Sequence, residues 1–470
     1  MAEAIHFGTD GWRAIIGDDF TEDNLVRVCD SAARVFREQE SIQPEQKATI
    51  IIGHDCRLDA HRYAELAAQV VAAHGFNVIL SDDYCPTPAL CWSVAQNESA
   101  VGGIMLTSSH NPAEYLGVKL RMSDGGASPK EFTDRVEELL MPDPSIERAA
   151  CIEQDIVTPY LVALKSLVDE EAIRKAGLRV VVDPLYGAGR LYLAGLLRDL
   201  GVEVVEINNA ADPTFKGLHP EPIPPWINRG IETVKDLGYD AGFITDGDAD
   251  RIGAIDDEGN FVNPHRIITL LVSHLAEDKG LSGRVATTIT SSALLKRQCQ
   301  RLGLELVMTP VGFKWIYGEM DKGGVMIGGE ESGGIGLPTH VKERDGLLMA
   351  LLLTETMAQR KMSLRELVDD MFEKVGRLEF SRRGLELSEN EMNLFLDTIM
   401  PSSNEGIICG KQVLEVDRRD GIKYYLKDDA WVMMRPSGTE PLVRVYAEAE
   451  TWEEVEALLE AAESLVRPKA

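Results

Sequence analysis

Strand-like apolar segments alternate with amphipathic helical segments in three successive regions of this 470-residue sequence. Each strand is a short run of β-branched and other apolar residues, and a turn and a stretch of helical periodicity follow most of them. The strands are predicted at residues 48–53, 76–80 and 100–106, then 179–182, 202–207 and 241–244, and finally 285–289, 304–308 and 325–327. This alternation is typical of parallel sheets covered by helices, and it predicts an α/β fold.

The last hundred residues follow a different pattern. Strand-like segments at 423–426, 431–434 and 442–447 are separated by short turns, and a helix follows from Thr451. This order predicts an antiparallel meander in a smaller α+β domain. A chain of 470 residues is also too long for one ordinary core. We therefore predict domains at residues 1–156, 157–260, 261–374 and 375–470.

The charge balance narrows the range of partners. The sequence has 77 Asp and Glu against 48 Lys and Arg, a net charge of −29. Such a surface repels polynucleotides, so nucleic acid is not an expected partner, and any phosphate ligand needs local positive contacts. The longest strongly apolar stretch, 347–353, is too short to span a bilayer, so we expect no membrane association. Seven scattered cysteines and a start without a signal-peptide pattern predict a cytoplasmic protein without disulfides.

An acidic loop directly follows the strand at 241–244. Asp246, Asp248 and Asp250 alternate along it, so their carboxylates can converge on one point. Two unit charges about 4 Å apart repel by about 4 kcal/mol at an effective dielectric near 20, so such a cluster needs a cation. Oxygen ligands alone favour Mg²⁺, whereas an EF-hand is excluded because Arg251 and Asp257 replace its required Gly and Glu. A solvated acidic turn is the less favoured alternative, because the loop leaves an apolar strand directly.

A serine-containing loop, Thr107–Pro112, follows the strand at 100–106. Ser109 is a candidate covalent phosphoryl acceptor, and Lys119, with a depressed pKa, is a candidate proton carrier. A serine hydrolase would show G-x-S-x-G, which is absent from the sequence. An ordinary serine turn before Pro112 explains the segment equally well, so both interpretations stay open.

Two further loops suit sugar and phosphate recognition. The glycine-rich loop Gly328–Gly334 has no lysine and is therefore not a P-loop, but its Glu330 and Ser332 suit sugar hydroxyls. In the loop 435–441, Arg435, hydroxyl groups and glycine amides can form an anion nest. A flexible turn and a tight hairpin are the respective structural alternatives.

Taken together, these loops resemble the α-D-phosphohexomutases, a family that includes phosphoglucomutases, phosphomannomutases and phosphoglucosamine mutases. The amino-terminal segment Phe7–Arg13 also resembles a signature of that family, and the landmarks occur in the expected order along the whole chain. The resemblance implies four domains around a central cleft. Three would be α/β sandwiches with mixed, mainly parallel sheets, and the C-terminal one an α+β domain with an antiparallel sheet.

The resemblance also implies roles for the matching residues. Ser109 would carry the catalytic phosphate, and the implied Mg²⁺ ligands are a Ser109 phosphate oxygen, Asp246, Asp248 and Asp250. The other implied catalytic residues are Lys119, His110, Arg13 and Arg251. The implied sugar-binding residues are Gly312, Phe313, Lys314, Glu330, Ser332 and Arg344. The implied clamp on the distal phosphate consists of Arg435, Ser437, Gly438 and Thr439.

The implied reaction has two halves and uses small hexose phosphates as substrates. In the first half, phospho-Ser109 gives its phosphate to a hexose monophosphate and forms a hexose 1,6-bisphosphate, which is glucose 1,6-bisphosphate when the sugar is glucose. In the second half, this intermediate reorients and returns its other phosphate to Ser109. The loop 309–314 resembles glucose-type more than glucosamine-type members, with mannose as a further candidate substrate. The alternatives are a phosphoglucosamine mutase, a magnesium-dependent sugar phosphatase and a non-catalytic sensor. The expected state is a monomer or homodimer.

One residue departs from the family pattern. Ser108 stands where alanine is common, and it adds a second hydroxyl next to Ser109. Because successive strand residues point to opposite faces, we expect Ser108 to face away from the reacting centre.

Overall fold

A computed structural model of the chain describes residues 5–39, 47–144, 148–400, 406–437 and 442–467. In these ranges the strands form four sheets that follow one another along the chain. Helices cover the first three sheets, and the fourth sheet is antiparallel throughout.

The first sheet has six strands in the order β1-β5-β4-β2-β3-β6. Its strands are β1 (Trp12–Ile15), β2 (Thr49–His54), β3 (Asn77–Ser81), β4 (Ala100–Leu106), β5 (Tyr115–Met122) and β6 (Ile152–Gln154). The helices of this region are α1 (Glu22–Gln39), α2 (Ala60–Ala73), α3 (Thr87–Gln96) and α4 (Lys130–Glu138). Strands β4, β2, β3 and β6 are parallel to one another. Strand β5 pairs antiparallel with β4, and β1 pairs antiparallel with β5 at the edge of the sheet.

The second sheet has the order β11-β10-β9-β7-β8, with β9, β7 and β8 parallel. Its strands are β7 (Arg179–Asp183), β8 (Glu203–Glu206), β9 (Ala241–Thr245), β10 (Ile252–Asp256) and β11 (Phe261–Val262). The helices of this region are α5 (Val157–Lys165), α6 (Glu170–Ala176), α7 (Tyr192–Asp199) and α8 (Asn228–Leu237), with a 3₁₀ turn at Phe215–Gly217.

The third sheet has the order β13-β12-β14-β15, in which only β15 is antiparallel. Its strands are β12 (Arg284–Thr288), β13 (Leu306–Thr309), β14 (Val325–Gly329) and β15 (Ile335–Gly336). The helices of this region are α9 (Pro264–Ser273), α10 (Ala293–Leu302), α11 (Phe313–Asp321), α12 (Gly346–Arg360) and α13 (Leu364–Val375). Helix α9 begins as the sequence predicts, with the Asn263 side chain accepting from the Arg266 N–H, but it ends in a π turn at His274–Asp278.

The fourth sheet has the order β16-β21-β20-β19-β18-β17. Its strands are β16 (Glu379–Glu386), β17 (Ile407–Ile408), β18 (Lys411–Asp417), β19 (Ile422–Leu426), β20 (Trp431–Pro436) and β21 (Leu442–Ala449). The helices of this region are α14 (Glu389–Leu394) and α15 (Trp452–Val466), with a π turn at Phe395–Ile399 and a 3₁₀ turn at Lys427–Asp429.

One apolar core joins the first three regions. It contains Met105 from the first sheet, Phe243 from the second and Leu351 from α12, all fully buried. Helix α12 is apolar on nearly every side, as expected for a helix buried inside a large protein. The three regions therefore pack against one another through a common core.

Polar contacts attach the fourth sheet to the others. The Lys423 Nζ donates to the Ile289 carbonyl at 2.7 Å, and Glu448 accepts from the Ala293 N–H at 2.8 Å. Arg382 pairs with Glu221 of the second region at 2.6 Å. The predicted fold class is therefore confirmed: three mixed, mainly parallel α/β layers and a C-terminal antiparallel α+β layer.

Two further sequence-based expectations concern the whole chain. All seven cysteines lie in the described ranges, and none forms a disulfide. Within those ranges we find no helix whose length and apolar character would let it cross a membrane.

Candidate active site

The serine loop begins where β4 ends, at Leu106, and it turns sharply at Ser109. Ser109 has a φ of 49°, in the left-handed region that residues with a side chain rarely adopt. Its N–H donates to the Thr107 Oγ1 at 2.9 Å, and its Oγ donates to the Asp246 Oδ2, also at 2.9 Å. The predicted serine thus lies directly against the predicted acidic loop.

Ser108 has a different partner from Ser109. Both residues lie beyond the end of β4, so strand alternation does not determine where their side chains point. The Ser108 hydroxyl donates to the Asn111 Oδ1 at 3.3 Å, and the same oxygen accepts from the Arg13 Nη1 at 2.6 Å. The expectation that Ser108 faces away from the reacting centre stays a prediction.

The acidic loop places three carboxylates together at the end of β9. Asp246, Asp248 and Asp250 are fully buried, and each can offer a ligand oxygen within 4.8 Å of the others. The Asp246 Oδ1 accepts the N–H groups of Asp250 and Arg251, which holds the loop in a tight curl. Burial, together with the neighbouring carboxylates of Asp248 and Asp250, raises the pKa of Asp246 well above its usual value.

Lys119, on β5, lies between three carboxylates. Its Nζ is 2.7 Å from the Asp248 Oδ2 and 3.0 Å from both the Asp250 Oδ2 and the Asp10 Oδ2. Burial alone would lower the pKa of Lys119, but these carboxylates outweigh it and raise that pKa above its usual value. The expectation of a depressed pKa is therefore wrong for this arrangement, because it left out the long-range acidic neighbours.

The acidic loop fits a hard divalent cation. Asp248 and Asp250 turn their Oδ2 atoms toward Lys119, while their buried Oδ1 atoms have no hydrogen-bond partner among the described residues. Buried carboxylate oxygens are costly unless they are paired or bind a metal. With Asp246 they form an all-oxygen donor set of the kind that Mg²⁺ prefers.

His110 lies beside the serine hydroxyl. Its Nδ1 is 3.4 Å from the Ser109 Oγ, and its ring stacks on that of His219, with centroids 6.1 Å apart. Burial, together with the nearby positive charges of Arg251 and Arg13, holds the pKa of His110 well below its usual value. The lowered pKa favours the neutral imidazole, in which one ring nitrogen can accept a hydrogen bond.

Arg251 and Arg344 occupy different positions relative to the acidic loop. The Arg251 Nε lies 3.9 Å from both the Asp246 Oδ2 and the Asp250 Oδ1. Arg344 is buried, and its Nη2 pairs with Asp10 and with the Asp250 Oδ2. Arg344 thus contacts carboxylates that also surround Lys119, and its predicted sugar contact stays a prediction.

The predicted sugar-binding loops meet at Glu330. Its Oε1 accepts the Gly312 N–H at 3.0 Å, which joins the glycine-rich loop to the start of α11. Burial raises the pKa of Glu330 to about 7. Two neighbouring side chains make contacts between a cation and an aromatic ring: the Arg344 guanidinium lies over the buried Phe313 ring, and the Lys314 Nζ lies 5.6 Å from the Trp315 ring centroid. Ser332, in the glycine-rich loop, is half-buried.

The predicted phosphate clamp is described in part. The Arg435 Nε lies 3.0 Å from the Asp420 Oδ2, and that oxygen also accepts the Val311 N–H at 2.9 Å. The Ser437 N–H donates to the Leu442 carbonyl at 2.7 Å. The clamp arginine is thus connected through Asp420 to the loop at 309–314. Gly438 and Thr439 lie outside the described residues.

Several residues that the sequence patterns did not single out also belong to the site. Asp10 bridges Lys119, Arg121 and Arg344, and Thr87 donates to the Asp248 Oδ2 at 2.5 Å. Asp55, Arg57 and His219 contact the serine loop, and the Phe215 ring lies against the Arg57 guanidinium. The available signal was position: Asp55 and Arg57 follow the buried strand β2, whose carboxyl end lies beside that of β4.

Comparison with known proteins gives matches along nearly the whole chain. Four families match in order: Phosphoglucomutase/phosphomannomutase alpha/beta/alpha domains I (residues 4–143), II (158–259) and III (263–375), and the C-terminal domain (404–464). A Thermococcus kodakarensis phosphoglucomutase/phosphomannomutase is 32% identical, covering 97% of this chain and 96% of its own. A Sulfurisphaera tokodaii phosphoglucosamine/phosphogalactosamine mutase is 30% identical over 94% and 95%. The crystal structure of a "putative phosphomannomutase" from Thermus thermophilus is 35% identical, with a TM-score of 0.88 over 99% of this chain and 100% of its own.

Proposed function

This chain belongs to the phosphoglucomutase/phosphomannomutase family of phosphohexomutases, and on that basis we propose that it interconverts hexose 1-phosphate and hexose 6-phosphate. Members of this family are isomerases that act as intramolecular phosphotransferases. Glucose is the proposed main sugar and mannose a second one, and Ser109 is the proposed phosphate carrier.

The observation that carries the proposal is the contact between the two predicted loops. The Ser109 Oγ lies 2.9 Å from the Asp246 Oδ2, and the buried Oδ1 atoms of Asp248 and Asp250 lack hydrogen-bond partners among the described residues. Asp246, Asp248 and Asp250 would hold Mg²⁺, with an oxygen of phosphorylated Ser109 as a further ligand. A bound Mg²⁺ supplies charge neutralisation for a phosphate on Ser109.

Lys119 is the proposed proton carrier, and His110 is a proposed catalytic residue beside the serine hydroxyl. Lys119 carries a proton in this arrangement, because its pKa is raised by three carboxylates, so it can give that proton to an oxygen that departs from phosphorus. His110 Nδ1 lies 3.4 Å from the Ser109 Oγ, and the lowered pKa favours the neutral imidazole, which can accept a hydrogen bond from the serine hydroxyl. Arg13 and Arg251 add positive charge close to His110.

The other loops would orient the sugar. Glu330 and Ser332 are the proposed hydroxyl contacts, and Gly312, Phe313, Lys314 and Arg344 are proposed to complete the sugar site. Arg435, Ser437, Gly438 and Thr439 would clamp the phosphate that does not react. A single clamp opposite a single reacting centre serves both ends of the sugar only if the 1,6-bisphosphate turns between the two transfers.

A phosphoglucosamine mutase is the second candidate. It is favoured by the Sulfurisphaera tokodaii relative, whose name includes phosphoglucosamine and phosphogalactosamine. A magnesium-dependent sugar phosphatase is a third and weaker candidate, since it would use the same acidic loop but transfer the phosphate to water.

A coupled assay separates these functions. Glucose 1-phosphate is converted to glucose 6-phosphate with Mg²⁺ and a trace of glucose 1,6-bisphosphate, and mannose and glucosamine phosphates are run in parallel. We expect the highest kcat/KM with the glucose compounds, no turnover after Mg²⁺ is chelated, and none in the Ser109→Ala variant. Higher kcat/KM with glucosamine phosphates would favour the second candidate, and release of free phosphate at a comparable rate would favour the phosphatase.

Peptide mass spectrometry after incubation with glucose 1,6-bisphosphate identifies the phosphorylated serine. We expect phosphate on Ser109 and none on Ser108, because the Ser109 hydroxyl contacts the acidic loop whereas the Ser108 hydroxyl donates to Asn111. Phosphate on Ser108 would contradict the assignment.

A further inference from the structure

The guanidinium of Arg57 lies fully buried beneath the serine loop and binds its backbone. The Nη2 donates to the carbonyls of Ser109 and Asn111, both at 2.7 Å. The Nη1 donates to the carbonyls of Pro112 and Tyr115, at 2.6 and 3.0 Å. One side chain thus holds four carbonyls of the segment that runs from Ser109 to the start of β5.

Asp55 fixes the orientation of this guanidinium. The Asp55 Oδ2 accepts from the Arg57 Nε at 3.1 Å and from the Thr107 Oγ1 at 2.6 Å. The Thr107 Oγ1 in turn accepts the Ser109 N–H at 2.9 Å. Asp55 therefore holds both the amide and, through Arg57, the carbonyl of the serine that lies against the acidic loop.

A residue from the second region closes the arrangement. The Phe215 ring covers the guanidinium, with its centroid 4.9 Å from the Arg57 Cζ. A guanidinium over an aromatic face gains a cation–π interaction, which is stronger when both groups are shielded from water. The position of Arg57 therefore depends on the second region as well as on the first sheet.

Ser109 needs external contacts because its backbone conformation is unfavourable. Its φ of 49° lies in the left-handed region, where the Cβ approaches the following carbonyl. No glycine occurs within Thr107–Pro112 to relieve this cost locally. Arg57 binds the Ser109 carbonyl, and Asp55 holds the Ser109 N–H through Thr107, so both peptide groups of this residue are held from outside the loop.

We propose that Arg57 is a positioning residue for phosphoryl transfer, which holds the Ser109 backbone so that the Oγ stays directed at the acidic loop. The proposal rests on the proposed function, in which Ser109 carries the phosphate. Arg57 suits this task because its planar fork presents five donors in fixed directions, whereas a lysine ammonium offers three donors at one point.

The test compares Arg57→Lys with Arg37→Ala as the matched control. Arg37 also donates to a backbone carbonyl, that of His74, and also lies over a phenylalanine ring, that of Phe76 at 3.9 Å. Because these two partners lie outside the serine loop, the Arg37 variant should keep the wild-type kcat.

For Arg57→Lys we expect kcat to fall by about 10²-fold, the loss that follows from about 1 Å of misplacement at a reacting group. The KM for glucose 1-phosphate should stay near the wild-type value, because the described contacts of Arg57 lie outside both proposed sugar loops. The rate at which Ser109 gains phosphate from glucose 1,6-bisphosphate, followed by intact-protein mass spectrometry, should fall in the same proportion as kcat. In Arg57→Ala, millimolar guanidinium chloride should restore part of the lost rate, and it should not accelerate the wild type.

The outcomes separate this inference from the proposed function. If wild-type Ser109 gains no phosphate, the proposed function is wrong and the inference falls with it. If wild-type and Arg57→Lys proteins gain phosphate equally fast, the inference alone is wrong. A thermal unfolding curve gives the fraction of Arg57→Lys protein that is folded. The inference is also wrong if kcat per folded molecule equals that of the wild type and the variant only has less folded protein.

Discussion

The serine loop and the acidic loop approach each other closely at Gly247. A Cβ on this residue would lie 2.3 Å from the Ser109 carbonyl oxygen and 3.4 Å from the Pro220 Cγ. Ordinary contact begins at 3.4 Å, so the Gly247→Ala variant must separate the two loops by about 1.1 Å. A misplacement of about 1 Å costs about 10²-fold in rate, or about 2.7 kcal/mol of activation free energy.

The assay measures kcat for glucose 1-phosphate at saturating Mg²⁺, together with the Mg²⁺ concentration for half-maximal rate. We expect kcat of Gly247→Ala to fall by about 10²-fold, since Ser109 and the proposed metal ligands move apart. The matched control is Gly195→Ala in α7, where a Cβ meets nothing within 4 Å. That variant should keep kcat and gain about 0.5–1 kcal/mol of stability, because alanine suits a helix interior better than glycine. A Gly247→Ala enzyme with wild-type kcat would refute the claim that this approach sets the catalytic geometry.

Two further predictions concern buried carboxylates of the site. Asp250→Asn should raise the half-saturating Mg²⁺ concentration by more than about tenfold. Asp257→Asn, at a partly exposed carboxylate that pairs with Arg365, should leave it unchanged, and equal titration curves for the two variants would exclude Asp250 as a ligand. Burial raises the pKa of Glu330 from 4.5 to about 7. Between these pH values the folded protein holds a proton that the unfolded protein has lost. The free energy of unfolding therefore falls as the pH rises through this window. Glu330→Gln should remove this part of the decline in urea unfolding at pH 5 and pH 8, and an unchanged pH dependence would contradict the buried-acid explanation.

The sequence was sufficient for features that depend on local pattern. Strands such as β4 were predicted within a residue or two, because their apolar runs are bounded by turns and polar loops. The two loops after β4 and β9 were recognised because functional side chains collect at the carboxyl ends of parallel strands. The contact of Ser109 with Asp246 is the result of this shared position.

Other features depend on residues that are distant in the sequence. Strand β5 joins the sheet antiparallel to β4, and no local pattern separated it from the preceding loop. The pKa direction of Lys119 is set by carboxylates from distant segments, so a prediction from its own segment had the wrong sign. Arg57 was missed, because an arginine that binds buried carbonyls has the same local pattern as one on the surface, and only its position after β2 distinguishes it.

The distance along the chain between Lys119 and its carboxylates has a consequence for synthesis. During translation Ser109 and Lys119 are synthesised well before the acidic loop, since Asp248 lies 129 residues after Lys119. During that interval the nascent chain has Asp10 as a partner for Lys119 but has not yet received the three aspartates of the acidic loop. Under the proposed function, the growing protein would be unable to transfer phosphate until residues 246–250 have been added, and Ser109 of an unfinished chain would be unreactive.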